Sequence, residues 1–152
     1  MTEYRDALSF LESVRDSKAE QSRLRERISE LEARCNRMTT NLSGMPRGGG
    51  MDYDQQLAAL ADETARLKDE LRRELNHARS VEEFLKRMPN RMYRNLLMRQ
   101  YINCQTVPSI VNSLRKIGID RSQRQVERML NAARAEAERL WRETEGDMHD
   151  NT

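Results

Sequence analysis

An all-helical fold is predicted for this chain by three features. Apolar residues recur every three to four positions along two long segments, charged residues fill 34% of the 152 positions, and aromatics fill only 5%. The expected architecture is a long antiparallel coiled-coil-like helical hairpin over residues 1–88. A small helix-turn-helix domain over 89–143 and a flexible polar tail over 144–152 follow it.

The first helix is expected over about 3–39. Its heptad positions are Ala7, Phe10, Val14, Ser17, Gln21, Leu24, Ile28, Leu31, Cys35 and Met38, polar only in the middle, at Ser17 and Gln21. A Gly-rich loop over 40–52, with Pro46 inside it, cannot continue a helix and serves as a flexible connector. The same spacing resumes over 53–87 as Leu57, Leu60, Thr64, Leu67, Leu71, Glu74, Ala78, Val81, Leu85 and Met88. The two seams pack against each other within the chain or against those of a second copy; the pattern is compatible with either. Leu and Met at such spacing are packing residues, and Cys35 on the seam reads as a small buried hydrophobe rather than a reactive thiol.

Met88-Pro89 closes the second helix. The run "NRMYRNLLMRQYI" then forms a short amphipathic helix with Met92, Leu96, Leu97, Tyr101 and Ile102 inward. After the turn "NCQT", Thr106 caps a helix that accepts Pro108 in its first turn and turns Val107, Ile110, Val111 and Leu114 inward. Gly118 breaks it. Ser122 and Gln125 have the Ser-x-x-Gln spacing of a capping box, which starts a last helix at Gln123 with Val126, Met129, Leu130, Ala133, Ala137, Leu140 and Trp141 apolar. Arg121, Gln123, Arg124, Gln125 and Arg128 occupy its opening turn and outer face.

Charge is unevenly spread. Between Lys86 and Arg142 stand 13 Lys and Arg against 4 Asp and Glu, whereas the remainder carries 14 against 21, giving a net +2. A basic part joined to an acidic part suggests two tasks, and the basic one suggests a polyanion. The glutamates 136, 138 and 143 fall only late on the last helix, where it would leave a DNA groove. No stretch approaches the roughly 20 apolar residues that span a bilayer, so no membrane partner is expected. "MTEYRDALSF" is acidic and amphipathic, unlike a signal peptide. Cys35, Cys104, His77 and His149 lack metal-ligand spacing, and "RGGGMD" lacks the Lys-Ser/Thr of a phosphate loop. A reduced cytoplasmic protein that is not an enzyme and takes no cofactor is the expectation.

"MPNRMYRNLLMRQYINCQTVPSIVNSL" followed by "SQRQVERMLNAA" resembles the DNA-binding fourth region of sigma factors: a leucine-rich helix ending near Tyr-Ile, a short turn, a second helix, then Ser-x-x-x-Val opening the recognition helix. With a coiled hairpin ahead of it, the chain resembles small phage and prophage regulators of the RinA and ArpU late-gene activator type. The closer match covers Met88 to Ala133. The chain departs from the pattern at Gln100, where the family has Arg before Tyr, at Ser109 and Val111, and in "RKIGID", which lengthens the turn.

By this resemblance, Arg121, Ser122, Gln123, Arg124, Gln125 and Arg128 open the recognition helix, while Thr106, Arg115 and Lys116 contact the DNA backbone. Arg and Gln there would pair with guanine and adenine edges in the major groove. The implied function is a sequence-specific transcriptional regulator in a bacterial host cell. It would bind promoter-region double-stranded DNA, contact RNA polymerase, and form a homodimer through the hairpin. The alternatives are a small-terminase-like DNA-packaging protein, which would assemble as a large ring, and a coiled-coil protein-binding adaptor.

Overall fold

The computed structural model of the chain describes residues 4–41 and 50–150, with side chains over 4–40 and 52–145. Among these residues the protein is all-helical, with no strand. Five α-helices follow in order: α1 (Ala7–Asn41), α2 (Gly50–Lys86), α3 (Arg91–Leu97), α4 (Val107–Lys116) and α5 (Gln123–Asp150). A π turn, Met98–Ile102, runs on from α3.

Helix α1 starts at Ala7 rather than near residue 3 because Asp6 caps it. Its Oδ1 accepts the Ser9 N–H at 2.8 Å, and Phe10 N–H donates to the Asp6 carbonyl at 3.2 Å. The hydrogen bonds from Ser9 hold the Asp6 carboxyl below the usual carboxylate range. Of the loop expected over 40–52, residues 42–49, Pro46 included, lie outside the described residues, and both flanks are helical. At the α1 end, the Thr39 hydroxyl returns to the Cys35 and Asn36 carbonyls, and that of Thr40 to Asn36. Both hydroxyls thus add side-chain donors to carbonyls near the end of the helix. At the α2 end, Asp52 places its negative charge in the first turn, beside the helix N-terminal amides. Helix α5 likewise continues to Asp150, past the boundary expected at 143. Thr144 stays in it, its hydroxyl donating to the Leu140 carbonyl at 2.8 Å.

The contacts divide the chain into two compact units, one of residues 17–76, the other of residues up to Asp16 together with those from His77 onward. In the first, Leu24, Ile28 and Leu31 of α1 bury against Leu67 of α2, with Leu60 and Leu71 alongside. The helices run antiparallel here: Ser17 Oγ donates to the Glu74 carbonyl at 3.2 Å, and Arg27 lies 3.8 Å from Glu63. The seam is therefore filled within the chain over this unit. Its polar positions are satisfied: buried Gln21 donates to Ser17 Oγ at 3.3 Å, and buried Thr64 to the Leu60 carbonyl at 2.7 Å. Cys35 is half-buried. Along the outside, Arg23 donates to both Glu20 oxygens, at 2.5 and 3.0 Å, and holds that carboxyl below its usual range.

In the second unit one core gathers Ala7, Leu11 and Val14 from α1 with Val81, Phe84 and Leu85 from the end of α2 and Met88 just after it. It continues through Leu96, Leu97, Tyr101, Ile110 and Leu114 to Val126, Leu130, Ala133, Ala137 and Trp141 of α5. Helices α3 and α4 both pack on α5. The Phe10 ring lies tilted 5.1 Å from Trp141 and edge-on 5.7 Å from Phe84, so this end of α1 and α2 faces a third helix and buries a wider stripe than a two-helix seam. Tyr4 and Ser13 both reach His77 Nε2, at 3.3 and 2.7 Å.

Candidate nucleic-acid interface

The junction from α4 to α5 is built by caps. Thr106 accepts the Ser109 N–H at 3.4 Å and opens α4, with Pro108 in the first turn where its missing N–H costs nothing. At the far end Gly118 takes φ +87, a left-handed conformation, and the Ile119 N–H returns to the Leu114 carbonyl at 2.9 Å. This closes α4 in the manner of a Schellman motif and sends Ile119 back against the core.

Helix α5 then opens on a reciprocal capping box. Ser122 Oγ accepts the Gln125 N–H at 3.2 Å, and Gln125 Oε1 accepts the Ser122 N–H at 2.9 Å. Val126, Leu130 and Ala133 are buried, which fixes the rotation of the helix. At 100° per residue, Arg124 and Arg128 fall together on the side opposite Val126.

All nine residues singled out in the sequence are solvent-exposed: Thr106, Arg115, Lys116, Arg121, Ser122, Gln123, Arg124, Gln125 and Arg128. They divide by what their side chains already do. Thr106, Ser122 and Gln125 are engaged as caps. Arg115 Nε lies 3.8 Å from Asp120 Oδ1, and Arg121 donates to the Asp120 carbonyl at 3.3 Å. Lys116, Gln123, Arg124 and Arg128 make no side-chain hydrogen bond or ion pair with other described residues, so their donors are all available. By contrast, Arg23, Arg27, Arg66, Lys68, Arg72 and Arg73 on α1 and α2 each meet a carboxylate.

Two features lie outside the sequence reading. Arg134 of α5 donates to Tyr101 Oη at 3.0 Å, to Gln100 Oε1 at 2.8 Å and to Asn131 Oδ1 at 2.8 Å. Arg15 sits 5.3 Å over the Tyr101 ring and reaches the Gln100 carbonyl at 3.5 Å. Gln100 thus supplies acceptors between two guanidiniums, where an arginine would add a third positive charge. The second feature is Ile117, which is 61% exposed. Its spacing from Leu114 would place it inward on a continuing helix, but α4 ends at Lys116 and turns it out.

Among the described residues no three His, Cys, Asp or Glu side chains converge as metal ligands would, and no helix is long and apolar enough to cross a membrane. No protein-family model matches the chain, and no curated protein or solved structure is significantly similar to it.

Proposed function

We propose that this chain is a sequence-specific DNA-binding transcriptional regulator of phage type. In this reading α1 and α2 form a helical hairpin, and α3, α4 and α5 a helix-turn-helix domain of the sigma-region-four kind. The start of α5 enters the major groove of promoter-region DNA. One observation carries the proposal: among the described residues Lys116, Arg121, Arg124 and Arg128 are exposed cations without carboxylate partners around a rigidly capped helix start, whereas Arg23, Arg27, Arg66, Lys68, Arg72 and Arg73 of residues 17–76 each meet a carboxylate. Uncompensated like charges repel one another, and a polyphosphate backbone is the partner that relieves the repulsion.

The caps divide the roles. Ser122 and Gln125 set the helix start, leaving Gln123, Arg124 and Arg128 to reach base edges, with Arg able to bind guanine O6 and N7 together. Lys116, Arg115, Arg121 and the exposed start of α4 at Thr106 suit phosphate contact, which fixes register without reading sequence. Because α1 and α2 fill their seam within the chain over residues 17–76, a homodimer would use the outer faces of the hairpin there. RNA polymerase contact belongs to this reading through the sigma-like resemblance.

Titration of labelled duplex DNA against wild type and an Arg124→Ala/Arg128→Ala variant tests the proposal, combined with particle mass. Salt-sensitive binding by a monomer or dimer, weakened in the variant, is expected. Equal binding by both proteins would remove α5 from the interface. A large ring would favour a packaging role over regulation.

A further inference from the structure

We infer that Ile117 is a specificity-determining residue of this interface, packing on the 5-methyl group of a thymine. The inference rests on the DNA-binding reading above. Among the described residues Ile117 is the most exposed large hydrophobic side chain, at 61% against 38% for Leu75 and 37% for Leu8. Exposed aliphatic surface is unfavourable in water, so this side chain gains from any partner that covers it.

The fold does not use it. The inward place at the end of α4 is taken by Ile119, two residues on, and the turn is closed by backbone bonds from Ile117, Gly118 and Ile119 to the Leu114 and Arg115 carbonyls. Nevertheless Ile117 is held in place rather than left loose. Its own N–H donates to Leu114 at 3.1 Å, Arg115 and Asp120 approach across the loop, and the α5 capping box follows directly. A β-branched side chain on such a turn has few rotamers to lose on contact. A Cβ added at the neighbouring Gly118 would meet no described atom within 4 Å, so the turn is open there.

The surroundings select the partner. Arg115 and Lys116 precede Ile117 and Arg121 and Arg124 follow it, with Asp120 the one acid among them. Whatever covers Ile117 must offer negative charge around a small apolar spot. In the major groove that spot is the thymine methyl, the apolar group on a base edge, flanked by phosphates. An acidic protein surface is the competing occupant.

The test uses full-length wild type, Ile117→Ala and Ile117→Thr, titrated by fluorescence anisotropy against the duplex that wild type enriches from a random pool. The same duplex is then made with each thymine in turn replaced by deoxyuridine, which lacks only the methyl. At one position the replacement should weaken wild type by roughly threefold to tenfold and leave Ile117→Ala unaffected. Both variants should bind the unmodified duplex correspondingly less well. Wild-type affinity in both variants, or equal sensitivity of all three proteins to every deoxyuridine, would overturn the thymine contact while leaving the DNA-binding reading intact. Failure of wild type to bind any duplex would overturn that reading as well, and leave the acidic protein partner in its place.

Discussion

Arg124 and Lys116 are both exposed cations without a partner among the described residues, yet they are expected to behave differently. Arg124 stands on the outer face of α5, so Arg124→Ala should cost about 1–3 kcal/mol on the preferred site and relax discrimination at one base position. Lys116, at the end of α4, should act on phosphate: Lys116→Ala should weaken binding to all sequences alike and reduce the salt slope by about 1. Anisotropy titrations on matched and mismatched duplexes at several salt concentrations separate the two. Ser122→Ala belongs to a third class. It removes an acceptor for the Gln125 N–H and should lower stability by about 1 kcal/mol in denaturant unfolding, the loss of affinity following from the frayed helix start. At the other end of the chain, Asp6 is ionised and capping above the ordinary aspartate range. Because its folded-state carboxyl titrates below the unfolded one, its contribution is present near neutrality and lost as pH falls through and below about 4. Asp6→Asn, which still caps, should flatten that part of an acid-unfolding curve followed by circular dichroism.

Between elements, Arg134 is the main tie from α5 to the π turn after α3. Its hydrogen bonds to Tyr101 and Gln100 and the Arg15–Tyr101 contact bring α1, the π turn and α5 to one place. Gln100→Arg should destabilise the protein by roughly 1–3 kcal/mol, since it removes an acceptor and adds a like charge, and Arg134→Ala should suppress much of that penalty in a double-mutant cycle. In residues 17–76, Leu24→Ala, in a fully buried position against α2, should cost about 2–5 kcal/mol. The seam from Ser17 to Leu31 and the start of α5 were legible from spacing alone, because a two-helix interface and a capping box each impose a short local rule. Leu11 and Phe84 were not. They lie in the core that also takes in α5, and no local period announces a third helix. The π turn and the Arg134 cluster depend on side chains more than thirty residues apart, and Ile117 on a helix end one residue before the stripe would place it.

Over the whole molecule, the +2 net charge hides a basic stretch from Lys86 to Arg142, in which Lys116, Arg121, Arg124 and Arg128 have no carboxylate partner among the described residues, and two long helices on which six cations of residues 17–76 do. Composition made that contrast visible, but only the ion pairs locate it, since a charge count does not say which arginines already have a carboxylate. The nine candidate residues were named from sequence, and the structure places them all on the surface, three of them committed to caps. If two copies associate through the hairpin, the bound site should be a repeat, and a footprint over a single half-site would argue for a monomer. Selection of duplexes from a random pool by the full chain, followed by titration of the enriched sequence and a scrambled one at two salt concentrations, tests the central claim most directly. A shared motif, bound more tightly than its scramble and with affinity falling steeply as salt rises, is the result expected. No binding at low salt would contradict it, and would leave "DRSQRQVERML" as a solvated helix start.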